Sequence, residues 1–273
     1  MVELTDTHCH IQEATAQPLS ENGVQHKWAK AGITDPRKVI AAAKEVGVTR
    51  LICVGTTTAD SELAVQLAAK QASVWASIGI HPHEADTHLS DKSLLDRFKA
   101  LAVDPVVVAV GECGLDYFYE HSTKTNQEKL LRLQLNIALE YDLPLIFHVR
   151  EAFDDFWPIF DEYKGLRGVI HSFSATQKEL EQILARGLFV GLNGIMTFTK
   201  REEQLAAAKA VPLDRLLLET DAPFLTPAPI RGTVCEPKHL RITAAFLTRL
   251  RGESLDDLAV QTTRNARTLF GLS

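Results

Sequence analysis

The chain has 273 residues, 45% of them hydrophobic and 23% charged, with a formal net charge of −6. This globular composition, free of low-complexity tracts, excludes disorder, and charges interrupt every apolar stretch well before the roughly 18 residues of a membrane span. The acidic balance argues against a broadly basic nucleic-acid-coating surface, while leaving room for a narrow phosphate-binding cleft. Four cysteines without a CxxC spacing read as reduced thiols in a core large enough to need no staple. The N-terminal MVELTDTHCH has neither the basic start nor the apolar stretch of a secretion signal. The expectation is a cytoplasmic protein with no membrane association and no obligate protein partner.

A first apolar run, VELTD (2–6), is followed by a polar, weakly periodic stretch, 12–34, which predicts an extended loop. PRKVIAAAKEVG has helical spacing and precedes RLICVG (50–55); SELAVQLAAKQ then leads to VWASIG (74–79), and VVVAVG (106–111) follows. QEKLLRLQLNIALEYD predicts a long helix ahead of PLIFHV (144–149). GVIHSF (168–173), QKELEQILARG, LFVGLN (188–193) and RLLLET (215–220) continue the alternation, and 237–251 and 254–269 read as closing helices. Short continuous apolar runs bounded by Gly, Pro or polar residues are how strands buried on both faces of a parallel sheet read. Eight of them alternating with helices predict an α/β chain forming one (β/α)8 TIM barrel over 1–273, since no linker separates two domains.

Placed on that strand map, the histidines and acids gather at strand C-termini, the face where barrel enzymes build their sites. Asp6, His8 and His10 leave the first strand, His81 and His83 follow the third, and Glu112 and Asp116 follow the fourth. His148 and Arg150 end the fifth, His171 ends the sixth, and Glu219 and Asp221 follow the eighth. His8 and His10 are two apart, so on an extended segment both rings point to one side and chelate together. With His148, His171, Glu112 and Asp221 they make six nitrogen and oxygen ligands, enough for a binuclear centre holding two divalent ions. A lone buried histidine is usually a hydrogen-bonded core residue; six donors each at a strand end are a different pattern. The chemistry this permits is hydrolysis by water activated on the ions.

Several blocks in order then carry a resemblance that covers nearly the whole chain: DTHCH (6–10), GVTRLICVGT (47–56), GIHPHEA (79–85), GECGLDY (111–117), FHVREAFDD (147–155), HSFSA (171–175), ETDAPFLTP (219–227), RG…EP (231–237) and NARTLFGL (265–272). The chain resembles the TatD-like metal-dependent hydrolases of the amidohydrolase superfamily. That resemblance implies a Mg2+- or Mn2+-supported DNase, with Zn2+ as a further option, acting as a 3′→5′ exonuclease on DNA, preferentially single strands or 3′ ends. It implies the metal ligands His8, His10, Glu112, His148, His171 and Asp221, with Glu112 in place of the carboxylated lysine of many superfamily members. It gives Asp221 the second task of orienting or deprotonating the attacking water, and sets His81 near the scissile phosphate.

Softer roles fall to Arg150, for phosphate oxygens or an ion pair with Asp116 or Glu219, and to Tyr117, for stacking a base or packing the rim. Arg231 is expected to order the loop after the eighth strand or to touch substrate. Three features depart from the family pattern: Cys235 stands in RGTVCEP where Asn is common; 12–34 is long and carries His26, Lys27, Trp28 and Lys30, a mix that suits gripping a single strand or a solvated loop; and the same stretch could partly roof the cleft, favouring ends or small substrates. The competing readings are a metal-dependent deacylase such as a D-aminoacyl-tRNA deacylase, since the same ions polarise a carbonyl, and a non-catalytic binding protein.

Overall fold

The computed structural model describes residues 2–15, 23–119 and 121–272. Among them, eight strands stand in sequence order in one parallel sheet. They are β1 (Leu4–Cys9), β2 (Val48–Val54), β3 (Val74–Ile78), β4 (Val107–Asp116), β5 (Leu145–Arg150), β6 (Gly168–Ile170), β7 (Phe189–Leu192) and β8 (Leu216–Leu218). With helices between successive strands this is the topology of a (β/α)8 barrel, as the alternating runs predict. By its contacts the chain divides into two compact units, residues 1–53 with 172–268, and residues 54–171 with 269–272.

In the first unit β1 pairs in parallel with β2, Leu4 opposite Val48 and Cys9 opposite Cys53. β7 pairs with β8, and Cys9 bridges to Ala222 just beyond β8. Every residue of β1 is buried, including the polar Thr5, Asp6, Thr7 and His8. Buried polar groups need partners, and Asp6 supplies the principal tie. Its Oδ1 accepts from the backbone N–H groups of Thr220 (2.9 Å) and His8 (3.2 Å), and its Oδ2 from the Thr220 hydroxyl (2.6 Å). This fastens the end of β1 to the segment leaving β8.

The stretch 12–34 differs from the extended loop that its polarity predicts. Residues 16–22 lie outside the described residues, but a short 3-10 turn, Ile11–Glu13, and a helix, Val24–Lys30, take up much of the remainder. Trp28 is completely buried, and its indole N–H donates to the His10 carbonyl at 3.0 Å. Gln25 and Trp28, three apart, face inward, whereas His26, Lys27 and Lys30 are exposed. The basic and aromatic residues therefore separate onto opposite faces of a helix, and Trp28 is a structural anchor unavailable to a nucleic acid.

In the second unit β3 to β6 pair in succession, with Ser77 opposite Ala109, Gly114 opposite His148, Asp116 opposite Arg150 and Phe147 opposite Ile170. β4 is ten residues long and buried throughout, so Glu112 and Asp116 lie inside it and not after it. Two glycines allow its neighbours to close in. A Cβ at Gly79 would stand 2.2 Å from the Glu112 amide nitrogen, and one at Gly114 1.8 Å from the His148 carbonyl oxygen. Gly114 also has φ +151°, a conformation that side-chain-bearing residues rarely adopt. Among the described residues, no helix is long and apolar enough to cross a membrane.

Replacing the buried indole tests the anchor. Trp28→Ala is expected to lower the free energy of unfolding by about 3–5 kcal/mol in chemical denaturation. A change of less than about 1 kcal/mol would show that the helix merely rests on the surface.

Candidate metal centre

The first unit brings together His8, His10 and Asp221. His8 and His10 alternate off the end of β1, and their Nε2 atoms face each other at 3.3 Å. Asp221 Oδ1 stands 3.3 Å from His10 Nε2 and 3.7 Å from His8 Nε2. Its backbone takes φ +60°, and its N–H donates to the His8 carbonyl at 2.9 Å, which turns the carboxylate back toward the two rings. A divalent ion with bonds of about 2.0–2.2 Å holds its ligand atoms roughly 3–3.5 Å apart. The spacing of these three atoms fits one cation, which would satisfy all of them at once.

The second unit gathers Glu112, His148 and His171. Glu112 Oε1 lies 2.7 Å from His148 Nδ1 and 3.0 Å from His171 Nε2, and the three could ligate one ion. His81 Nε2 approaches the same oxygen at 3.6 Å. Burial pushes the Glu112 carboxyl up, but the charge of His171 and the hydrogen bonds from His148 and His171 outweigh it and hold it well below the usual carboxylate range. Burial likewise drives His81 well below the usual imidazole value, with the charge on His148 adding to the effect, so its ring is neutral. Its Nδ1 accepts from the His83 N–H at 3.2 Å, which leaves the hydrogen on Nε2.

The structure also finds partners that the sequence pattern does not announce. Asp116 Oδ2 lies 2.9 Å from His148 Nε2 and 3.0 Å from His83 Nε2. Burial raises its carboxyl, yet these hydrogen bonds outweigh it and keep it ionised. Asp116 therefore sets the orientation of His148, whose other nitrogen faces Glu112, in the manner of a carboxylate behind a metal-bound imidazole. Two glutamines on the helix Lys124–Glu140, two turns apart, pin the backbone. Gln134 exchanges both hydrogen bonds with the Ile80 backbone at 2.9 Å, and Gln127 accepts from the Asp116 N–H and donates to its carbonyl. The one available signal was a pair of amides on the otherwise aliphatic inward stripe of this helix.

The softer candidates separate. Arg150 lies over the Phe118 and Tyr119 rings at 4.0 and 4.9 Å. Tyr117 sits beneath the Lys124 ammonium at 3.9 Å, half-buried. Arg231 stacks on Phe198 at 3.8 Å and donates to the Thr226 carbonyl, a geometry that orders the loop after β8. His88 is buried between the Thr58 N–H and the Glu84 carbonyl.

Comparison with known proteins adds identity to this geometry. Residues 5–271 match the family described as TatD related DNase. The TatD protein of Pantoea vagans, named a 3′-5′ ssDNA/RNA exonuclease, is 38% identical over 251 residues, covering 88% of this chain and 95% of its own. The TatD protein of Erwinia amylovora, of the same name, is 37% identical over 246 residues, covering 87% and 94%. The crystal structure of YjjV, a TatD homologue of Escherichia coli, has a TM-score of 0.86 at 28% identity, covering 99% of this chain and 98% of that one.

Titration of the chelator-treated protein with Mn2+ reads the donor sets directly. Glu112→Ala and His10→Ala are each expected to remove measurable high-affinity binding. Asp116→Asn, which leaves every proposed ligand in place, is expected to weaken it by about 10- to 100-fold. Wild-type affinity in Asp116→Asn would deny that carboxylate its orienting role.

Proposed function

The chain belongs to the TatD-related DNase family and is a metal-dependent hydrolase of phosphodiester bonds, and on that premise we propose that it removes nucleotides from the 3′ end of single-stranded DNA or RNA. The activity for which the Pantoea and Erwinia relatives are named supports the polarity and the substrate. In this reading His8, His10, Glu112, His148, His171 and Asp221 hold two divalent ions, and the whole of 1–273 works as one catalytic barrel. The observation that carries it is the pair of donor sets at strand C-termini, each spaced to chelate a cation. The mixed imidazole and carboxylate ligands suit Mg2+ or Mn2+, and also Zn2+. Divalent ions bound there would clamp phosphate oxygens and bring the pKa of water down toward about 7.

The chain's own groups divide the remaining work. Asp221, partly exposed beside two imidazoles, orients the attacking water and takes its proton. His81 presents its Nε2–H to the leaving 3′-oxygen as a neutral donor. Arg231 keeps the loop after β8 in place. Four free cysteines agree with a reducing, cytoplasmic setting.

The test strips the protein with chelator, restores single ions, and follows 5′- and 3′-labelled strands, single and duplex, beside an ester-charged tRNA. A shortening ladder from the 3′ end, restored by Mg2+ or Mn2+ and depressed at least about 100-fold by Asp221→Asn, is the expected result. Faster turnover of the charged tRNA would replace the nuclease reading with a deacylase.

A further inference from the structure

We propose that Phe118 and Tyr119 form a stacking shelf for a nucleobase at the 3′ end of the strand, with Arg150 as its underside; this rests on the exonuclease reading above. Both rings are large apolar side chains left in solvent, 47% and 43% exposed, and follow Tyr117 just beyond the end of β4. Their position is fixed by the same carboxylate that orients His148. The N–H groups of Phe118 and Tyr119 donate to Asp116 Oδ1 at 3.0 and 3.1 Å, while Oδ2 faces His148 and His83. The rings meet edge to face at 4.7 Å, and the His121 imidazole stacks on Tyr119 at 5.6 Å, so the shelf offers the incoming base chiefly Phe118, with Tyr119 and His121 as its flank.

Arg150, in register with Asp116 on the neighbouring strand, lies over both rings. The guanidinium holds the pair in place by cation–π attraction and keeps its N–H edge for a phosphate. Beside the shelf is a hollow of about 320 Å³ lined by Tyr119, Ser122, Lys124 and Asp116, with Lys124 as a second cation for the backbone. Aromatic faces flanked by cations are the chemistry of sequence-tolerant single-strand binding, since every base has a π-face and a base stacked within a duplex hides its own. The exposed neighbours of Tyr117 thus take the role that sequence inspection gives to Tyr117, whose ring is covered by Lys124.

The experiment compares wild type, Phe118→Ala/Tyr119→Ala and the conservative Phe118→Tyr/Tyr119→Phe. In chelator, so that no cleavage intervenes, a strand ending in 3′-2-aminopurine is titrated with each protein. Wild type is expected to quench its fluorescence, the double alanine variant to bind about 5- to 100-fold more weakly without quenching, and the conservative variant to behave as wild type. With ions restored, wild type should prefer a base-bearing 3′ end over an abasic one, and the alanine variant should lose that preference. Equal quenching and preference in the alanine variant would overturn the shelf, as would a change confined to self-association, which would assign the rings to a second copy of the chain. Absence of any wild-type cleavage would refute the exonuclease reading alone, because the quenching measurement needs no turnover.

Discussion

A carboxylate taken out of water stays ionised only where positive charge or donor hydrogens replace the hydration it has lost. Asp6, Glu112 and Asp116 all face that constraint, and how far each satisfies it decides its role. Asp6 has only neutral donors, from Thr220 and the His8 amide, and burial still pushes its carboxyl up to about 7. Glu112 stands among three imidazoles and remains ionised in spite of its burial. Asp116 is held between two imidazoles and two backbone amides. The first ties strands together, the second belongs to a group spaced to chelate a cation, and the third arranges its neighbours.

Bringing so many rings around one strand requires backbones closer than side chains permit. That is the work of Gly79 and Gly114, where a Cβ would collide with Glu112 or His148 main-chain atoms. The long helix after β4 then contributes polar pegs, Gln127 and Gln134, which pair the buried backbone groups of Asp116 at the end of β4 and of Ile80 beyond β3. The geometry of the candidate site thus depends on residues outside either donor set.

Much of this was legible in the sequence because its signals are local. Continuous apolar runs mark doubly buried strands, and the eight runs found by inspection match the eight observed strands closely. The histidines and carboxylates at their ends were equally visible, since each follows an apolar run directly. What escaped is set by tertiary contacts. β4 reads as ending at Gly111 because Glu112 and Asp116 are charged, yet the imidazoles around them allow the strand to continue through Asp116. Trp28 looks like a surface aromatic among lysines because the helix that buries it is short and follows a polar segment. Phe118 and Tyr119 could not be distinguished from Tyr117 without knowing which ring Lys124 covers.

The indole of Trp28 has a further bearing on how the chain tolerates change. Its hydrogen bond ends on the carbonyl of His10, itself a proposed ligand. The insert after β1 is therefore a wedge beneath the chelating pair, and its length and its anchor are separable properties. Residues could be added or trimmed on the solvent side with little effect, whereas an excision that took the indole would leave a hollow under His10 and loosen the grip on the ion. Any redesign of this segment has to carry the tryptophan with it.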